Sequence, residues 1–155
     1  MFRPMRRIRQ QLSPQEANEV LSRGKTGVLG LIGDEGYPYT VPVNYVYQDG
    51  KIYLHGAGSG HKFDAASRCD KASFCVIDRD DVIPEKLTTA YRSVIAFGKI
   101  RILPPEETRE AAGAIGLKCC TEEQVARELS REWPTLACFE LEIEHMTGKV
   151  GKELL

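Results

Sequence analysis

No apolar run in this chain approaches the roughly 20 residues that a membrane-spanning helix needs, so no helical span is expected. No sign of charge dominates either. With 21 basic against 22 acidic residues, there is no global field to recruit nucleic acid or an anionic membrane. Cys-x-x-Cys pairs are missing among Cys69, Cys75, Cys119, Cys120 and Cys138. An odd set without metal spacing predicts reduced thiols in a cytoplasmic protein. Internal repeats and linker-like stretches are absent too, which predicts a single domain over residues 1–155. Neither the G-x-x-x-x-G-K-[ST] nucleotide loop nor the G-x-G-x-x-G fingerprint occurs. Tryptophan appears once, at Trp133, and a lone Trp is more often core than a cover over a ligand.

Acid is missing from residues 1–11, which hold Arg3, Arg6, Arg7 and Arg9. The same segment lacks the apolar core of a signal peptide. Residues 1–12 are therefore expected to form an exposed arm that folds over the domain or a partner subunit.

What the chain does have is a glycine run between a strand and a helix. Residues 51–64 begin as a strand, with Ile52 and Leu54 on one face and Tyr53 and His55 on the other. Side chains then almost vanish over Gly56, Ala57, Gly58, Ser59 and Gly60, and return at His61 and Lys62, where a helix begins. Backbone this bare lets a ligand approach closely. A helix start offers unpaired N–H groups and a positive dipole end, and Lys62 adds a point charge. The stretch reads as a phosphate seat, or more plainly as a flexible connection with a solvated lysine.

The flanking segments supply the frame. Ser13-Pro14-Gln15-Glu16 carries a capping residue, an N1 proline and a capping-box glutamate, and Gly24 is placed to end the helix. A strand is expected over 26–32, a turn at 33–36, and a long strand over 37–47 that places Tyr39, Val41, Val43, Tyr45 and Tyr47 on one face. Pro42 cannot donate within a ladder and marks an edge or an interruption. Gln48-Asp49-Gly50 is a hairpin turn. Further strands are expected over 72–77, 91–103 with a bulge at Gly98, and 136–146. Helices are expected over 106–117 and 121–131, the second opened by a capping box at Thr121 and Gln124. Residues 79–90 are polar, contain Pro84 and show no period; they read as a loop and a candidate lid. The acidic cluster Asp78, Asp80, Asp81 lacks calcium-loop spacing. Six strands joined mostly by hairpins predict a mainly β protein with added helices, closed as a small antiparallel barrel.

Three segments in order resemble the pyridoxamine 5′-phosphate oxidase-like family of FMN-binding split-barrel proteins, nearest its nitroimidazole-resistance branch. They are residues 36–47 (Gly-Tyr-Pro-Tyr-Thr-Val-Pro-Val-Asn-Tyr-Val-Tyr), residues 52–57 (Ile-Tyr-Leu-His-Gly-Ala) with Gly60-His61-Lys62, and residues 91–99 (Tyr-Arg-Ser-Val-Ile-Ala-Phe-Gly-Lys). The resemblance implies a six-stranded antiparallel split β-barrel with FMN at a homodimer interface. By that likeness Val41, Pro42, Val43, Asn44 and Tyr45 run along the flavin ring, His55, Gly56, His61 and Lys62 hold the ribityl phosphate, and Ser93 reaches the cofactor from the next long strand. Trp133 would then cover the partner's flavin, or serve as core. The departures are specific. The oxidases place arginines where Val41 and His61 stand here, and they carry a C-terminal arginine–histidine pair that Glu144-His145-Met146 does not reproduce. Activity on pyridoxamine phosphate is not implied. The function expected is an FMN-dependent oxidoreductase for a small organic molecule, a nitro compound among the candidates, without an assigned catalytic side chain. The alternative is a split barrel that binds flavin or another planar phosphate ligand without turnover. A nucleic-acid-binding barrel fits poorly, since basic and aromatic residues do not interleave on one strand face.

Overall fold

The structure, a computed structural model, describes residues 1–131 and 135–155; the expectation for Trp133 lies outside the described residues. The chain enters through helix α1 (Pro14–Arg23), whose start is fixed as the sequence demands. Ser13 Oγ accepts from the Glu16 amide at 3.2 Å and the Glu16 carboxylate accepts from the Ser13 amide at 2.8 Å. Ala17, Val20 and Leu21 bury one face of this helix on the sheet.

Seven strands follow: β1 (Thr26–Ile32), β2 (Pro38–Asn44), β3 (Val46–Gln48), β4 (Lys51–Ala57), β5 (Lys71–Ile83), β6 (Thr88–Ile102) and β7 (Leu136–Val150). All pairs are antiparallel, in the order β2-β1-β5-β6-β7-β4-β3. The two outermost strands are consecutive in the chain. They are the halves of the single strand expected over 37–47, interrupted at Tyr45, so one run of backbone forms both margins of the sheet. Counted this way the architecture is the six-stranded split barrel. Tyr45 is tethered on every side. Its hydroxyl donates to the Leu21 carbonyl at 2.6 Å, its amide donates to the Lys25 carbonyl at 3.3 Å, and its carbonyl accepts from Lys118 Nζ at 3.0 Å. Its ring meets Phe74 edge-on, and burial pushes its phenol far up.

Pro42 sits where its missing donor costs nothing, on the sheet margin opposite Val28. The hairpin turn between β3 and β4 uses positive φ at Asp49 and Gly50, which suits the twist of a two-residue loop. The β6–β7 register shifts between Phe97 and Gly98. A Cβ at Gly98 would run into the Glu142 carbonyl, so the bulge needs glycine. The interior is filled from alternate positions of every strand, including Leu29, Ile52, Leu54, Phe74, Val76, Val94, Phe139 and Leu141.

Residues 79–90 are not a loop. They continue β5 and open β6 as a projecting hairpin, paired from Arg79 with Arg92 to Ile83 with Thr88 and turned at Pro84–Lys86. Both faces of this hairpin meet solvent over much of its length, so no apolar alternation records it in the sequence. Strand β7 likewise runs on to Val150, past the expected end at 146.

Helix α2 (His61–Arg68) follows β4, and helices α3 (Pro105–Leu117) and α4 (Glu122–Leu129) form a hairpin between β6 and β7. The Thr121–Gln124 capping box opens α4. The hairpin covers the outward face of the sheet over a second apolar cluster, Leu103, Ala111, Ala112 and Cys138, flanked by Tyr53, Leu129 and Leu136. Burial there pushes the Cys138 thiol up to about 11. The arm before α1 lies on β7: Gln11 bridges Lys149, the Leu12 amide donates to the Gly148 carbonyl at 2.9 Å, and the Phe2 ring stacks on His145 with centroids 5.0 Å apart. No described helix is long and apolar enough to cross a membrane.

One ion cluster has a clear pH signature. Asp78, with its side chain 11% exposed, accepts from Arg23 at 2.7 Å and from Arg92 at 3.0 Å. The Arg23 hydrogen bonds hold its carboxyl below the ordinary value, and Arg92 adds to the effect. A depressed folded-state pKa contributes stability that is complete above the unfolded value, about 3.9, and is lost as pH falls through the folded one. Urea midpoints of the parent should therefore drop as pH is lowered from 5 toward 2. Asp78→Asn should start lower at pH 7 and show a shallower slope; equal slopes would remove Asp78 from the account.

Candidate functional site: the end of β4 and the start of α2

The last residues of β4 have no partner on one side. Strand β3 covers only Lys51, Ile52 and Tyr53, and beyond them β4 pairs with β7 alone, from Leu54 opposite Phe139 to Ala57 opposite Leu136. This margin is where the barrel is split, and β2 approaches β4 across it.

Here the chain turns into α2 through Gly58 and Gly60. Gly58 donates to the Thr135 carbonyl at 2.6 Å, and Gly60 takes φ +104, a conformation that favours glycine. No side chain caps α2. Its first amides therefore have no intrahelical acceptor and point at whatever lies beyond the helix start.

Lys62 folds back from α2 over Gly56. A Cβ on Gly56 would stand 2.5 Å from the Lys62 ammonium nitrogen and 2.8 Å from its Cε, so the lysine occupies space that only a glycine leaves. The ammonium lies 5.6 Å from the centroid of the Phe139 ring, which Phe63 meets edge-on. Among the described residues no carboxylate comes within ion-pair distance of it. Burial pushes its pKa down. A half-buried cation without a counterion among the described residues, at an uncapped helix start, makes a local field that favours an anion. Next to it, burial and the Lys62 charge push the imidazole of His55 below its ordinary 6.5.

The other expected site residues are arranged unevenly around this cradle. His61 turns toward β2: its Nε2 accepts from the Asp34 amide at 3.1 Å and its ring packs on Tyr39 at 4.0 Å. Asp34 is held in turn by Arg68 at 3.0 Å. With Nε2 accepting, a neutral ring carries its proton on Nδ1 and keeps one donor. On β2, Val43 is buried and Val41 packs on the core, so this segment offers a ligand its backbone, with Pro42 facing out. Both protons of the Asn44 amide group are committed, to the Lys25 carbonyl at 3.2 Å and the Thr26 hydroxyl at 3.1 Å; its oxygen remains an acceptor. Tyr45 is 1% exposed and is a structural tether. Ser93 stands apart on β6, two strands over from β4, opposite Ile77 and Lys149. Within one chain the structure gathers Gly56, His61 and Lys62, lays β2 beside them, turns His55 to the opposite face of β4 toward the α3–α4 hairpin, and leaves Ser93 on the outward face with the exposed Ile77, Ile95 and Phe97.

Sequence reasoning missed the aromatic floor, Phe139 and Phe63, and the contribution of the α3–α4 hairpin. A cleft of about 380 Å³ beside Gly58 and Phe63 is bordered by Arg109 of α3 and by Arg131, which adds positive charge near the cradle. No spacing rule relates residues so far apart in the chain; only the acid-poor glycine run itself was visible. Among the described residues no cluster of three metal-ligating side chains occurs.

The chain and its fold have known counterparts. The family model described as pyridoxamine 5′-phosphate oxidase matches residues 13–150. No curated protein matches the chain. Among solved structures, a conserved hypothetical protein from Mycobacterium tuberculosis superposes with a TM-score of 0.81 at 18% identity, covering 97% of this chain and 92% of the other. A candidate 5-nitroimidazole antibiotic resistance protein from Bacteroides thetaiotaomicron gives 0.72 at 21% identity, covering 90% and 86%. An FAD- and haem-binding protein from Mycobacterium smegmatis gives 0.76 at 17% identity, covering 92% and 74%. At such identities the likeness is one of fold.

Proposed function

The chain belongs to the pyridoxamine 5′-phosphate oxidase family, and from that premise we propose that it is a flavoprotein that holds FMN by its phosphate at the cradle of Gly56 and Lys62 and acts as an oxidoreductase on a small organic molecule, nitro compounds included. The observation that carries the reading is the Lys62 ammonium, folded into the space of a missing Cβ, half-buried and without a carboxylate partner among the described residues. A solved structure of similar fold is described as binding FAD and haem, which supports a flavin over other phosphate ligands.

In this arrangement the α2 amides and Lys62 bind the phosphate, the Nδ1–H of His61 donates beside it, and the β2 backbone from Val41 to Asn44 orients the ring. When bound, the flavin supplies the electron transfer. The protein's part is to fix the ring's orientation and keep its phosphate tail out of water. A homodimer suits the same reading. The outward face with Ile77 62%, Ile95 44% and Phe97 39% exposed is an apolar surface of the kind subunits bury, and Ser93 on that face would reach a partner's cofactor.

The test is a titration with FMN, FAD and riboflavin, followed by flavin fluorescence. FMN should bind at least ~10-fold tighter than riboflavin, since a charge-assisted phosphate contact contributes about 1.5–3 kcal/mol. Burial and, after it, the Lys62 charge lower the His55 pKa, and a phosphate paired with Lys62 relieves the lysine's share, so binding should take up a proton where His55 titrates and FMN affinity should weaken as pH rises through that range. Calorimetry in buffers of different ionisation enthalpy reads the uptake. Bound flavin should be bleached by dithionite and restored by an added acceptor. Equal affinity for riboflavin and FMN would remove the phosphate seat; tighter binding of FAD would reassign the cofactor.

A further inference from the structure

One side chain at the end of β2 is built so that it can only accept. The Asn44 Nδ2 group donates to the Lys25 carbonyl at 3.2 Å and to the Thr26 hydroxyl oxygen at 3.1 Å. A carbonyl oxygen has no proton to give, so the nitrogen of Asn44 must face Lys25. The opposite orientation would set two oxygens against each other. An amide nitrogen carries two protons, and both are engaged. What Asn44 has left for a ligand is Oδ1, on an exposed residue.

The support beneath this amide is tied from three parts of the chain. Thr26 and Asn44 stand opposite each other in the β1–β2 ladder. The Lys25 carbonyl that accepts from Asn44 also accepts from the Tyr45 amide at 3.3 Å. Lys118, directly after α3, reaches the same knot. Its ammonium donates to the Gly24 carbonyl and, at 3.0 Å, to the Tyr45 carbonyl, and lies 4.2 Å from the centroid of the Tyr45 ring. Residues 24–26 and 44–45 are therefore joined by ladder pairing, one side-chain amide and one ammonium. An acceptor held this way is ordered before a ligand arrives, which lowers the entropy lost on binding.

A group that accepts and cannot donate discriminates between ligand atoms. A carbonyl oxygen or an unprotonated ring nitrogen brought to Oδ1 would lose its water and gain no hydrogen bond. An N–H would be satisfied there. The oxidised isoalloxazine ring carries several acceptors but a single N–H, at N3. We propose that Asn44 is a specificity-determining residue for the flavin ring, its Oδ1 accepting from the N3–H and its orientation set by Lys25 and Thr26. The proposal rests on the flavin reading above and concerns the ring, whereas Lys62 concerns the phosphate.

Flavins methylated at N3 make the test, because a methyl group replaces the one proton at issue. Titrated into the parent protein and followed by flavin fluorescence, 3-methyl-FMN and 3-methylriboflavin should each bind about tenfold more weakly than FMN and riboflavin, the loss expected of one hydrogen bond with its acceptor left unsatisfied. Asn44→Leu keeps the bulk and removes the acceptor. In that variant the methyl penalty should fall to within about twofold, while the preference for FMN over riboflavin stays as in the parent. A second readout needs no variant: the side-chain carbonyl carbon of Asn44 should shift downfield in NMR spectra when FMN binds and stay in place when 3-methyl-FMN binds. Equal affinity of the parent for FMN and 3-methyl-FMN overturns the proposal. So does an undiminished methyl penalty in Asn44→Leu, which would give the N3–H to the β2 backbone, or an Asn44 carbon shift shared by both ligands. Failure of the flavin reading itself looks different, since none of the four flavins would then bind the parent, and the proposal falls with it.

Discussion

Lys62→Ala is expected to weaken FMN binding by about 10- to 150-fold, the range that follows from removing a hydrogen-bonded charge of roughly 1.5–3 kcal/mol. The same change should leave the barrel's melting temperature unchanged or slightly higher in the absence of flavin. The reason is the lowered pKa of this lysine: in the unliganded protein its ammonium bears a desolvation cost that no carboxylate among the described residues repays. Gly56→Ala should copy the binding defect from the other side, because its Cβ would claim the position 2.5 Å from the ammonium nitrogen. Fluorescence titration against FMN, with thermal denaturation in parallel, separates the two effects. FMN affinity within twofold of the parent in Lys62→Ala would refute the assignment of the cradle.

Phe139→Ala should cost about 3–5 kcal/mol of stability, the usual range for emptying a large aromatic site. Phe139 is 0% exposed at the centre of β7's inward face and touches Phe63. Against a total stability of about 5–15 kcal/mol, such a loss leaves little margin. Urea unfolding should show a lower midpoint with an unchanged slope. Phe139→Leu should recover most of the stability. It would still lack the ring beneath Lys62, a contact of about 0.5–1 kcal/mol, so FMN affinity should recover less completely than the fold. A loss below 1 kcal/mol in Phe139→Ala would mean that the core collapses around the gap and that the ring does not brace the cradle.

The sequence was readable where local chemistry decides the structure. Ser13 with Glu16, Thr121 with Gln124, and Asp49 with Gly50 each satisfy their own backbone, and the helices and the hairpin turn start where those residues stand. Pro42 announced a sheet margin because a missing donor is tolerated only there. The glycine run before Lys62 was visible because small residues at a strand end have few other uses. Reading failed where distant contacts decide. Residues 79–90 pair through backbone alone, and a hairpin with two wet faces leaves no hydrophobic rhythm. The interruption at Tyr45 is set by Leu21, Lys25 and Lys118, which no window around residue 45 contains. The engagement of His61 with Asp34 and Tyr39 was hidden for the same reason. Family resemblance supplied the topology that periodicity could not.

The passage of one backbone run across both margins has a consequence for the cradle. The mouth of the barrel is bounded on one side by residues 38–44 and on the other by strand β4, which is stitched to residues 46–48. Between those two lips the chain spends a single residue, and that residue is anchored through ring, hydroxyl, amide and carbonyl alike. The aperture is thus a fixed covalent span, sized before any ligand arrives.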